Sequence, residues 1–218
     1  MTQARVRTRR KDAELWKRRG VGGLWLALCI AGGYLAMRYE FIPGRLGPHQ
    51  ERWPAQARLE RHQGVQTTVA FLHPRCVCSK ASLHQLIRAF TAHPTGELVV
   101  AVFVPAASAQ REEWERGAYV QLIRERLSRA TIVADPGGVE AVRFGALTSG
   151  TMLVYDPQGR EVFRGGITER RGGEADNPSF QRFLHVLAGE DRPAEVAPTP
   201  VFGCPLVKSD EGEERASL

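Results

Sequence analysis

The chain has 218 residues, 43% hydrophobic and 25% charged, a composition that excludes an intrinsically disordered protein and fits one folded domain with appendages. Its formal charge is +6, yet residues 1–19 alone hold eight basic and two acidic side chains, so the chain from Gly20 onward is electrically balanced. The basicity belongs to a tail, which argues against a nucleic-acid-binding face and leaves nucleic acid out of the expected partners.

Residues 1–19 read as a basic cytoplasmic tail. Residues 20–37 then carry no charge, and Arg38 closes the run. As a helix this stretch would be about 27 Å long, near the lower limit for crossing a bilayer. Residues 20–38 are therefore expected to be a transmembrane anchor. Basic charge on its N-terminal side places the N-terminus in the cytoplasm and sends the rest of the chain across. A cleavable signal peptide shares this layout, but no clean small-x-small cleavage site follows. Residues 39–64 hold Pro43, Gly44, Gly47, Pro48 and Pro54, and read as a spacer ending in a short helix over 56–63.

The body of the domain is expected over residues 65–190. The apolar run 67–72 predicts a strand that delivers the chain into His73-Pro74-Arg75-Cys76-Val77-Cys78-Ser79. Leu83, Leu86, Ile87 and Phe90 recur at helical spacing, so residues 79–90 predict a helix. Residues 97–104 form a nearly unbroken apolar run of strand length, suited to a strand covered on both faces. A second helix is expected over 108–128, a strand over 131–135 and a short helix over 139–144. Strands at 151–155 and 161–163, joined by Asp156-Pro157-Gln158-Gly159, predict a hairpin, and residues 180–187 a last helix. This order specifies an α/β fold, a mixed central sheet flanked by helices. Residues 191–218 read as a Pro-rich C-terminal segment carrying Cys204, with an acid-rich end at 209–214.

Four cysteines are present, and Cys29 falls in the apolar anchor. Three thiols in an exported domain do not make a disulfide framework; they leave reactive or metal-binding roles open. Cys76 and Cys78 sit where a strand gives way to a helix, a place where free N–H groups and the positive end of the helix dipole stabilise a thiolate.

Phe71 and Cys76, spaced as a strand end and a cysteine opening a helix, resemble the thioredoxin superfamily. The departures are specific. Ser79 stands where the family has its second cysteine, Cys78 is an extra one, and Thr148-Ser149-Gly150-Thr151 lacks the family's cis-proline. The motif at 73–79, together with Gly165-Gly166-Ile167-Thr168, Arg171-Gly172, Asp176-Asn177 and residues 199–206, is similar to a membrane-anchored, thioredoxin-like bacterial group termed RedB-like. The resemblance implies a single-pass protein of the bacterial inner membrane with a periplasmic thioredoxin-like domain. It also implies protein thiols or disulfides as partners, and places Arg171 and Asn177 near the cysteines.

Under a redox reading, Cys76 attacks a partner disulfide and either Cys78 or Cys204 resolves it, with no cofactor needed. His73, Pro74, Arg75 and Ser79 line the site. Under a metal reading, Cys76 and Cys78, with His73 or Cys204 nearby, offer soft ligands to copper(I) or zinc. A third reading makes the anchored domain a non-catalytic assembly module.

Overall fold

The structure, a computed structural model, describes residues 3–94, 96–104, 116–190 and 196–207. It divides into two units, Met1–Glu40 and Phe41–Leu218. The first is helix α1, Gln3–Phe41, which runs unbroken through the basic tail and the apolar stretch. Its segment Arg19–Phe41, 23 residues of mean hydropathy 1.6, is long and apolar enough to cross a membrane.

The second unit is built on five strands: β1 (Thr67–Leu72), β2 (Glu97–Val104), β3 (Thr131–Pro136), β4 (Thr151–Tyr155) and β5 (Glu161–Gly165). They form one sheet in the order β3-β2-β1-β4-β5. β1 is central and buried along its whole length, parallel to β2 and antiparallel to β4. The helices are α2 (Val77–Ala92), α3 (Ala118–Arg126), α4 (Val139–Arg143) and α5 (Pro178–Leu187). Of the helix expected over 108–128, α3 is the described part; residues 105–115 lie outside the described residues, as do 191–195 and the acid-rich 209–214.

Because strand side chains alternate, each strand feeds two cores. Ala70 and Leu72 of β1 join Leu83, Leu86 and Ala89 of α2, Ile123 of α3 and Phe180 and Phe183 of α5. Fully buried leucines such as Leu83 and Leu86 contribute about 1.5–3 kcal/mol each. Val69 and Phe71 face the other way, onto Phe144, Leu153, Tyr155, Leu59 and Leu206.

This second layer corrects two expectations. Residues 41–54, expected as a spacer, are packed onto the domain. Gly44 N–H donates to the Val201 carbonyl at 2.7 Å, Gly47 N–H to Gly145 at 2.8 Å, and Trp53 meets Phe144 and Tyr155 edge-on at 5.0 Å each. Arg52 bridges Arg160 in antiparallel fashion, so this segment covers the free edge of β5. The helix expected over 56–63 does not form. Leu59 is the one core residue there, too little apolar face to hold so short a helix. Its backbone bonds elsewhere: Arg58 N–H donates to Glu140 Oε2 at 2.9 Å.

On β5, level with Leu153 and Val69 across the sheet, Arg164 is buried. Its guanidinium donates to the carbonyls of Gly47 (2.8 Å), Pro48 (3.1 Å), Gly145 (3.0 Å) and Phe144 (3.2 Å). Glu161 lies beside it at 3.4 Å, and Tyr155 donates to the same carboxylate at 3.4 Å. His49 Nε2 stands 3.0 Å from Glu161 Oε1, an oxygen that accepts no hydrogen bond among the described residues. Burial outweighs Arg164 and pushes the Glu161 carboxyl up to about 7.

Candidate active site

The site forms where β1 ends. Cys76 is the N-cap of α2, in extended conformation (φ −97°, ψ 117°), with no side-chain capping bond. A non-capping residue at this position leaves the first-turn N–H groups available to its own sulfur. The 73–76 turn is tied by Cys76 N–H to the His73 carbonyl at 3.1 Å, and Tyr119 of α3 donates its hydroxyl to the Cys76 carbonyl at 3.1 Å.

Cys204 reaches Cys76 from 128 residues away, its Sγ 2.6 Å from the Cys76 Sγ. The approach is set by backbone pairing of the C-terminal segment with the loop before β4. Ser149 N–H donates to the Cys204 carbonyl at 2.8 Å, Leu206 N–H to Leu147 at 2.9 Å, and Thr148 bridges Pro205 in antiparallel fashion. Val201, Phe202 and Leu206 are buried and anchor the segment, and Thr199 bridges Gly165. Gly203 is required by contact: a Cβ there would collide with the Ser149 carbonyl oxygen. Residues 196–207, expected as part of a Pro-rich appendage, are thus part of the domain.

The electrostatics separate the thiols. Burial raises the Cys76 thiol, but the Cys204 thiol and the backbone N–H groups of Ser79, Cys204 and Cys78 outweigh it, so Cys76 ends below the ordinary cysteine value. Burial and the neighbouring Cys76 charge push Cys78 up, against the pull of Arg171. Cys204 is pushed up to about 12, by burial first and then by its bond to Cys76. The arrangement brings the two sulfurs to 2.6 Å and makes Cys76 the more readily ionised of the pair.

The remaining expected residues sort by contact. Ser79 Oγ accepts from His73 N–H at 3.2 Å and pairs with Ser149 Oγ, which also accepts from His73 N–H, at 2.9 Å. The His73 ring stacks on Phe103 at 5.0 Å, and its Nδ1 accepts from Arg75 N–H at 3.1 Å. Burial and the Arg75 charge lower its pKa, so the imidazole is neutral at pH 7. Pro74 is half-buried and Arg75 exposed. Arg171 joins the cluster, donating to the Gly203 carbonyl at 2.6 Å and bonding Cys78.

Asn177, expected near the cysteines, has a different task. Its Oδ1 caps α5 through Phe180 N–H at 3.0 Å and its amide donates to Ile167 and Ala175. Ser149 and Tyr119 were missed. Ser149 had a signal, since it lies in the stretch that replaces the family's proline; Tyr119 had none. Among the described residues no peptide bond is cis, and no group of three His, Cys, Asp or Glu side chains converges as a metal site.

No family model and no curated protein sequence matches this chain. Among solved structures it is similar to an uncharacterized conserved protein from Geobacillus kaustophilus, with a TM-score of 0.51 and 17% identity over 78% of this chain and 93% of that one. A hypothetical protein, SMc02350 from Sinorhizobium meliloti 1021, gives a TM-score of 0.48 at 18% identity, over 77% of this chain and 96% of that one. A secreted Mycobacterium tuberculosis disulfide oxidoreductase homologous to E. coli DsbE gives 0.39 at 16% identity, over 58% and 83%. With its five-stranded mixed sheet, flanking helices and a cysteine opening the helix after the central strand, the chain has a thioredoxin-like fold.

Proposed function

We propose that the protein is a thiol-disulfide oxidoreductase acting outside the cytoplasm, tethered to the bacterial inner membrane by residues 20–38 with its N-terminus cytoplasmic. Its exchanging pair is Cys76 and Cys204, and its partners are protein thiols or disulfides. The observation that carries this reading is the approach of the Cys76 and Cys204 sulfurs to 2.6 Å at the start of a helix, with the Cys76 thiol held below its ordinary value. Loss of two electrons to a partner disulfide, with release of the remaining thiol protons, joins the two sulfurs without a large movement of the chain. The sequence likeness to the RedB-like group agrees with an anchored protein of this kind. Copper(I) carriage would draw on the same thiols and is the alternative reading.

The test uses the full chain in detergent, oxidised, with a reduced unfolded protein as dithiol substrate. Cys76→Ser and Cys204→Ser lose about a hundredfold or more in exchange rate, while Cys78→Ser retains most of it. Retained exchange in Cys76→Ser would contradict the proposal.

A further inference from the structure

Once Cys76 and Cys204 are joined, a partner must choose one of two sulfurs, and their surroundings differ. Cys76 is 1% exposed, enclosed by the 73–76 turn, α2 and the C-terminal segment. Cys204 is half-buried, on a loop whose backbone is held by Ser149 and by Arg171. Displacement at sulfur runs in line, the incoming thiolate opposite the departing sulfur. A partner reaches Cys204 through the surface that this residue retains, whereas Cys76 offers almost none.

We propose that Cys204 is the sulfur that carries the mixed disulfide with the partner, and that Cys76 is the one released. The proposal deepens the oxidoreductase reading and rests on it. In the first step a partner thiolate forms a bond to Cys204 Sγ, the Cys76–Cys204 bond breaks, and its electron pair leaves on Cys76. The Ser79, Cys78 and Cys204 N–H groups that favour that thiolate remain in place when the Cys204 thiol is consumed. Thiols with the lower pKa also leave faster, which agrees with the geometry. In the second step another partner thiol, giving up its proton, attacks the partner sulfur of the mixed disulfide. Cys204 departs and takes up a proton; its thiol is pushed up to about 12 by burial and by Cys76, against the pull of Arg171, so this second step is the slower departure. The protein disulfide gains two electrons and the partner dithiol loses two. Cys76 thus serves as leaving group and, in the reverse direction, as the thiolate that resolves the Cys204 mixed disulfide.

The experiment mixes the oxidised full chain, in detergent, with reduced glutathione at pH 7, quenches with acid at short times, and maps the glutathione adduct by peptide mass spectrometry. A linked Cys76–Cys204 peptide in the starting material is verified first; its absence is a failure of the oxidoreductase reading itself. With the link present, the expected adduct lies on Cys204, about tenfold or more above that on Cys76. An adduct mainly on Cys76 or Cys78, or reduction with none on Cys204, overturns the inference and leaves the pair intact.

Discussion

Gly203→Ala isolates what the C-terminal loop does for the cysteine pair. The added Cβ meets the Ser149 carbonyl oxygen, and no real Cβ approaches such a neighbour within 3.0 Å. Ser149 cannot easily yield: its hydroxyl accepts from His73 N–H at 2.9 Å, and the adjacent Gly150 N–H is bonded to Phe71 of β1 at 2.8 Å. The loop must therefore retreat by about 1 Å, out of van der Waals overlap. That motion pulls Cys204 away from a contact of 2.6 Å with Cys76 and strains the Ser149 N–H bond to its carbonyl. The reduced protein can accept the retreat; the disulfide cannot. The overpacking cost, about 1–3 kcal/mol, therefore falls on the oxidised state. For a two-electron couple this raises the reduction potential by about 20–60 mV. A glutathione titration of the full chain in detergent, with folding checked by circular dichroism, reads the midpoint directly. An unchanged midpoint in a folded Gly203→Ala protein would refute the claim that this loop sets the pair.

Three further outcomes are expected. The Glu161 carboxyl is raised from 4.5 to about 7 in the fold, so the folded state retains a proton that the unfolded chain has lost over that interval. Its contribution is fully present below the unfolded value and is lost as pH rises through about 7, up to about 3 kcal/mol. Denaturant unfolding at pH 5 and 8 should show this decline in wild type and a flatter profile in Glu161→Gln; parallel profiles would count against it. Ser149→Ala leaves His73 N–H with only the Ser79 hydroxyl at 3.2 Å and should lower stability by about 1–2 kcal/mol in the same assay. Ultraviolet thiolate absorbance of the reduced protein should show a first ionisation below that of free cysteine, absent in Cys76→Ser and moved to higher pH in Cys204→Ala, which removes the donor. A first ionisation unaffected by Cys204→Ala would mean the thiol pair is not hydrogen-bonded.

The strands and helices that carry periodic apolar side chains were readable in advance. β1 and β4 have the bounds their patterns predict, and α2 and α5 extend theirs by two residues at one or both ends. These segments announce themselves because their burial is regular. Residues 41–59 were misread for the opposite reason. Their attachment runs through backbone groups of Gly44 and Gly47, the Arg164 guanidinium and a single large ring, Trp53, none of which leaves a periodic trace. At the site, Cys76 was evident from its place between strand and helix. Which thiol it meets was not, because the answer depends on pairing between residues 147–149 and 204–206, a long-range register that spacing does not encode. Asn177 was drawn toward the cysteines by resemblance, whereas its position just before Pro178 marks a helix cap.

The most direct measurement is a map of thiol state in the full-length protein across glutathione ratios, by alkylation, digestion and mass spectrometry. The account predicts one two-electron transition in which Cys76 and Cys204 peptides become linked while Cys78 stays open to alkylation throughout. A Cys76–Cys78 bridge, or three free thiols at every ratio, would contradict it.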